Sequence, residues 1–427
     1  MPRSLRIPFF FTLALLAMSA AGAEAASARL KRMVVIGDSI LAGYSSGGFV
    51  ESGAAGQVHS APAFVARRAR VKLRQPLMER PGVPPPYRID DGNGNGVLDA
   101  GEISRKVDGI GFRDDPDVRV RNLAVPGEDI QSVFEGVRPQ EIAEQLVSGA
   151  PDGRDILSMA TSTDPTAIDR PAAQFGQLYR QLLNQLAQAG VDMAVATLPD
   201  VTSIAVLRRA AGEVTQCQDP GGPVQPVAAD DRISIGLDPA RLPTPPCFKV
   251  LSAAERAQAR ANVIAFNAEI TAAAAEVQAA RGITIAVVDI FGLFDQLGTS
   301  GFDLDGNGTP DITTSFLGGV FSLDGIHPTR TANALIANAF IDVLNTRFGE
   351  AIPPVDVAKV ARKDPWVNSR FRPAGEAPFG LFSEAQVETS FEDSYRRIED
   401  EARDIGDDLA DDVRDIFDFF DNLSVPR

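Results

Sequence analysis

Three residues of this chain have the types that nucleophilic chemistry needs. Ser39 follows an apolar run in "VVIGDSILAGYSSG", residues 34–47, where a chain leaving a buried strand turns toward solvent. A serine hydroxyl becomes a useful nucleophile when a neutral imidazole takes its proton and a carboxylate holds that imidazole in the right tautomer. The chain has only two histidines. His327 stands in "FSLDGIHPTRTANALIA" with Asp324 three residues earlier, a spacing that can set the carboxylate against the ring nitrogen remote from the serine. His59, in "QVHSAPAF", has no such carboxylate and reads as a surface or loop residue. The competing reading of Ser39 is a helix-capping serine after a strand.

Two further clusters suit a hard cation. "DGNGNGVLDAGE" puts Asp91, Asn93, Asn95, Asp99 and Glu102 at positions 1, 3, 5, 9 and 12 of a twelve-residue Ca²⁺ loop, with Gly96 at its sharp turn. Its proline-rich flank "PGVPPPYRID" cannot be an ordinary entering helix, so a helix–loop–helix module is not expected. "DLDGNGTPDITT" repeats the pattern with Asp303, Asp305, Asn307 and Asp311, but Thr314 stands where the closing acidic residue would be. It lies shortly before Asp324 and His327, so a bound ion would brace the loop carrying them. An ion-free acidic turn is the alternative for both.

The elements that must position these residues alternate. Apolar runs predict buried strands at "RMVVIGDS", "VRVRNLAV" (118–125), "VDMAVATLPD" (191–200) and "GITIAVVDIF" (282–291). Helical periodicity covers Pro62–Arg74, Pro139–Val147, Ala172–Ala189, Ala253–Ala280 and Thr331–Phe348. Alternation of this kind implies a parallel sheet covered on both faces, with reactive residues at the carboxyl ends of its strands. Ser39 lies at such an end.

With these residues in view, the chain resembles the GDSL/SGNH hydrolases, a family of esterases, lipases and deacetylases. "GDSI" and "DGIHPT" are similar to its first and last blocks, and the resemblance covers about residues 30–348. It implies Ser39 as nucleophile, His327 as base, Asp324 as the orienting acid, and Asp38 as a turn residue. "NLAVPGEDI" resembles the second block, which implies that the backbone N–H groups of Gly127 and Ser39 form the oxyanion site. "TLPDVTSI" and "VVDIFGLF" look like strand ends of bacterial members. The third block departs from the family. A strand ending in Gly-x-Asn-Asp is expected there, yet no asparagine occurs between Asn122 and Asn184. The expected fold is therefore a three-layer α/β/α, flavodoxin-like parallel sheet lacking one usual strand, with acidic loop insertions and a C-terminal helical extension.

The ends of the chain set its surroundings. "MPRSLRIPFFFTLALLAMSAAGAEA" has arginines, an apolar run and small residues, as in a cleaved secretory signal over residues 1–25. That implies a secreted, periplasmic or cell-surface protein with no transmembrane span after cleavage. The two cysteines, Cys217 and Cys247, share one Pro/Gly-rich excursion, where a disulfide is expected and two unpaired thiols are the alternative.

A chain of 427 residues with 44% hydrophobic residues can bury a large core. Its net charge of −16 argues against nucleic acid as a partner. Fifteen Asp/Glu against four Arg between Glu384 and Asp421 put −11 of that charge in the tail. The organisation expected is a hydrolase-like domain at 26–348, a proline-rich linker or arm at 349–383, and an acidic amphipathic tail at 384–427. The tail stripe, from Ile398 to Phe420, suits docking on the domain or self-association with a second copy. The substrate expected is a small ester or lipid, with no cofactor for catalysis and Ca²⁺ in a structural role. A non-catalytic, Ca²⁺-braced binding protein on a degraded hydrolase fold is the alternative.

Overall fold

A computed structural model describes residues 30–367, apart from 54–55, 97, 99–100, 105–110, 112, 116–119, 123, 125–171, 236, 238 and 241. Short helix α1 (Ser39–Ala42) and helix α2 (Ala61–Arg68) come first, then a hairpin of β1 (Arg88–Ile89) and β2 (Ile103–Ser104). Helix α3 (Ala172–Ala187) leads to β3 (Met193–Ala196). An excursion follows with β4 (Leu207–Arg209), β5 (Gln216–Gln218), β6 (Val224–Pro226), β7 (Arg232–Ser234) and β8 (Val250–Leu251). Helix α4 (Ala253–Arg281), β9 (Ile285–Val288), α5 (Ile290–Ser300), α6 (Arg330–Phe348) and α7 (Val357–Ala361) complete the order.

Side-chain alternation makes the layers. Strands β3 and β9 pair in parallel, Met193 beside Ile285 through Ala196 beside Val288. Successive strand residues point to opposite faces. Met193, Val195, Ile285 and Val287 accordingly pack with Leu183 of α3 and Ala273, Ala274 and Val277 of α4. Ala194, Ala196 and Val288 face the other way, into the main core with Leu335, Ile336 and Ile341 of α6. Helix ends are fixed locally. Ser252 and Glu255 form a reciprocal capping box at the start of α4, and Thr329 Oγ1 accepts from Ala332 N at 3.1 Å at the start of α6.

The chain is thus α/β with mixed pairing, and among the described residues it does not form one continuous parallel sheet. Among the described residues, the expected strands at 32–39 and 118–125 meet at one parallel bridge, Val35 with Asn122. The backbone explains this. Arg121 and Asn122 direct their N–H groups to the carbonyl of Arg74, at 2.8 and 3.0 Å, instead of extending a ladder. Val34 is 46% exposed, so this segment is not the fully buried strand its composition predicts. The helix expected at Pro62–Arg74 ends at Arg68, because Arg70 takes a left-handed conformation (φ 58°) and the chain runs on without helix. The segment Pro139–Val147, the third block and the acidic tail lie outside the described residues.

The excursion after β3 is a small antiparallel sheet in the order β4, β7, β8, with the β5–β6 hairpin beside it. Cys217 and Cys247 are disulfide-bonded there, with Cα atoms 4.9 Å apart. Val206, Ile235 and Leu251 tie its base to the main core. Beyond α6 the chain wraps back on the domain. Asn345 and Asn338 side chains each bond both backbone groups of Ile352 and Val355, respectively, at 2.7–3.0 Å. No helix of the described residues is long and apolar enough to cross a membrane.

Candidate active site

Ser39 opens α1. Asp38 caps that helix, its Oδ1 accepting from Ile40 N at 3.0 Å, and Gly43 ends it in a left-handed conformation (φ 90°) that favours glycine. A first-turn N–H of a helix has no acceptor within the helix, so the Ser39 amide is free of that demand. Asp38 behaves as a capping residue. Burial pushes its carboxyl up, against the Ile40 hydrogen bond and the nearby charge of His327.

His327 Nε2 lies 2.9 Å from Ser39 Oγ, and its Nδ1 lies 2.9 Å from Asp324 Oδ2. The three side chains that the sequence separates by 288 residues therefore stand in hydrogen-bond series. The turn is set by Asp324 itself: its Oδ1 accepts from Ile326 N at 2.9 Å and His327 N at 2.8 Å. Asp324 is 2% exposed. Burial alone would push its carboxyl up. The charge of His327 and the hydrogen bonds from the His327 ring and backbone and from Ile326 outweigh that, and hold it below the usual carboxylate range.

Several residues around this series were not singled out by sequence. Tyr44 covers one face of His327, with ring centroids 4.7 Å apart at 56°. The turn Ser45–Gly48 clasps the Asp324–His327 segment: Gly47 N donates to Asp324 Oδ2 at 2.5 Å, Ser45 Oγ to the Pro328 carbonyl at 3.2 Å, and Ser46 N to Ser322 Oγ at 2.7 Å. The cue was present in "GYSSGG", directly after the nucleophile motif. Asn122 is buried, and its side chain bonds the Leu41 carbonyl at 3.0 Å, bracing α1.

His59 takes no part in the series. It stacks near Phe64, and burial together with the charges of Arg330 and Arg67 lowers its pKa to about 4. Gly127, expected to donate to an oxyanion, lies outside the described residues.

The two acidic loops differ. Asp303, Asp305 and Asp311 bring carboxylate oxygens within 4.8 Å of one another, a group that could hold a metal ion. Asp303 accepts backbone N–H bonds from Gly308, Gly306, Asp305 and Asn307; that from Gly308 contributes most to holding its carboxyl low. Asn307 Oδ1 is turned to Thr309 N at 2.8 Å. In the first loop, closed by the β1–β2 hairpin, Asp91 accepts from Asn95 N and Gly96 N at 3.2 Å and Asn93 from Asn95 N at 2.9 Å. Asp90 N bonds the Glu102 carbonyl at 2.7 Å, and Asp99 lies outside the described residues.

An α/β scaffold that presents serine, histidine and aspartate in series, with the serine opening a short helix, is the class that fold and site define. The family model for GDSL-like Lipase/Acylhydrolase matches residues 33–340, and the chain belongs to that family. No curated protein and no solved structure gave a match.

Proposed function

We propose that this chain is a secreted serine carboxylic ester hydrolase. The observation that carries the reading is the pair of 2.9 Å contacts from His327, one to Ser39 and one to Asp324. As Ser39 Oγ attacks the acyl carbonyl, His327 Nε2 takes its proton and Asp324 steadies the imidazolium. The N–H groups of Ser39 and Gly127 receive the oxyanion. His327 then returns the proton to the leaving alcohol, and water, activated by the same imidazole, hydrolyses the acyl-serine. The substrate is a small ester or a lipid; no cofactor enters any step. Ca²⁺ at Asp303, Asp305 and Asp311, and at the 91–102 loop, serves structure alone.

The absent third-block asparagine supports a slow enzyme. Loss of one oxyanion donor costs about 100- to 1000-fold in rate. The same absence favours a second reading, a Ca²⁺-braced binding protein that has lost catalysis. Hydrolysis of short-chain p-nitrophenyl esters by the purified protein and by Ser39→Ala separates the two. Turnover in the wild type that is abolished in the variant supports the esterase; no turnover, or equal turnover in both, overturns it.

A further inference from the structure

We infer that Ser322 is a positioning residue for the Asp324–His327 pair, locked in its role by the turn that follows the nucleophile. Ser322 is fully buried, and it stands outside the Asp-x-x-His segment that defines the last motif block. Its Oγ lies 2.7 Å from Ser46 N and 3.2 Å from Asp324 Oδ1. The backbone amide of Ser46 can only donate, so the Ser322 hydroxyl accepts there and its own proton is left to point at the carboxylate. The direction of this small network is therefore fixed by the Ser46 amide.

The backbone around Ser322 holds it still. Ser322 N donates to the His327 carbonyl at 2.8 Å, Gly325 N to the Ser322 carbonyl at 2.8 Å, and Leu323 N to Ser46 Oγ at 3.4 Å. The same turn delivers Gly47 N to Asp324 Oδ2. Ser46 and Gly47 both adopt positive φ, 53° and 66°, and in that turn the Ser46 N–H reaches Ser322 Oγ while the Gly47 N–H reaches Asp324 Oδ2. One carboxylate oxygen thus meets Ser322 Oγ and the Ile326 and His327 amides, while the other is left to Gly47 N and the imidazole. By holding Oδ1, Ser322 fixes the rotation of the carboxylate and with it the length and direction of the hydrogen bond from the His327 ring to Oδ2. A serine set two residues before the acid also links α1 to the base across the sequence, because Ser46 lies seven residues after the nucleophile.

The inference rests on the hydrolase reading only for its kinetic arm. Ser322→Ala is compared with wild type by ring ¹H and ¹⁵N NMR of His327 and by steady-state ester hydrolysis; only one other histidine is present, so the signals are resolvable. The expected result is an upfield move and broadening of the His327 Nδ1–H proton resonance as its hydrogen bond to Asp324 loosens, with kcat lowered by about tenfold and KM within about twofold. An unchanged Nδ1–H resonance overturns the inference, whatever happens to kcat, because loss of packing elsewhere would lower activity without altering that hydrogen bond. If Ser322→Ala does not fold, Ser322→Cys, similar in size but a weak donor, is read by the same two criteria. A wild type that hydrolyses no ester removes the hydrolase reading, and the Nδ1–H measurement still decides the role of Ser322.

Discussion

The backbone N–H of Val206 meets the carbonyl of Gly325 at 2.9 Å, and a Cβ placed on Gly325 would lie 2.6 Å from Val206 N. Gly325 also has φ of 70°, a conformation that costs other residues about 1–2 kcal/mol. The turn carrying Asp324 and His327 is thus seated directly on the base of the disulfide-closed excursion. Gly325→Ala is expected to destabilise the protein by about 2–4 kcal/mol, since neither colliding group is a flexible side-chain end. Thermal melting checks this, and ester turnover should fall more steeply than the folded fraction. A variant with unchanged melting would show that the two segments separate freely.

Asp324 gives a pH dependence with a definite sign. Its folded-state pKa lies below the unfolded value of about 3.9, so it contributes stability that is complete above that value and lost as pH falls through the folded pKa. Asp324→Asn should therefore be less stable than wild type at neutral pH, with the difference closing in acid below about pH 4. Urea unfolding at stepped pH values measures it. A constant gap down to strongly acidic pH would contradict the assignment.

The site was legible where chemistry is written in residue type and order. That Ser39, Asp324 and His327 meet could be anticipated because a serine, a histidine and a carboxylate with this spacing have few alternatives in a chain that offers two histidines. The strands of β3 and β9 and the helices of α3, α4 and α6 were legible because each has a long periodic or apolar pattern with clear caps. Strand pairing was not, because it is settled by backbone partners rather than by composition. Nothing in "VRVRNLAV" reveals that Arg121 and Asn122 bond Arg74. The clasp by Ser45–Gly48 was legible only as a turn in "GYSSGG", since serines and glycines in a turn carry no signature of what they hold.

The loop from Asp303 to Asp311 gathers three carboxylates, and among the described residues their hydrogen-bond donors are backbone amides. Like charges so close favour a cation, and the oxygens suit Ca²⁺. Addition of CaCl₂ after chelation should raise the melting temperature, by about 2.7 kcal/mol of added stability at 100 times the dissociation constant. Asp303→Asn together with Asp305→Asn should remove much of that response. An identical response in the double variant would place the ion elsewhere, the 91–102 loop being the next to test.

The disulfide bears on the site through the excursion it closes. Cys217 sits in a small cluster with Ala210, Val214, Ile233, Leu237 and Val250, which has few apolar groups to hold three short strands. Joining residues 30 positions apart should stabilise the fold by roughly 3–4 kcal/mol in the chain-entropy model. Cys217→Ser with Cys247→Ser is expected to lose that amount, and the loss begins in the excursion, whose own apolar cluster is small. Because β4 follows Val206, loosening there reaches Gly325 and then His327. Hydrogen exchange should rise first across residues 207–251, and ester turnover should fall at temperatures where α4 and α6 remain protected. Turnover that stays at the wild-type level while the excursion exchanges freely would show that the Val206–Gly325 contact holds the turn without help from the disulfide.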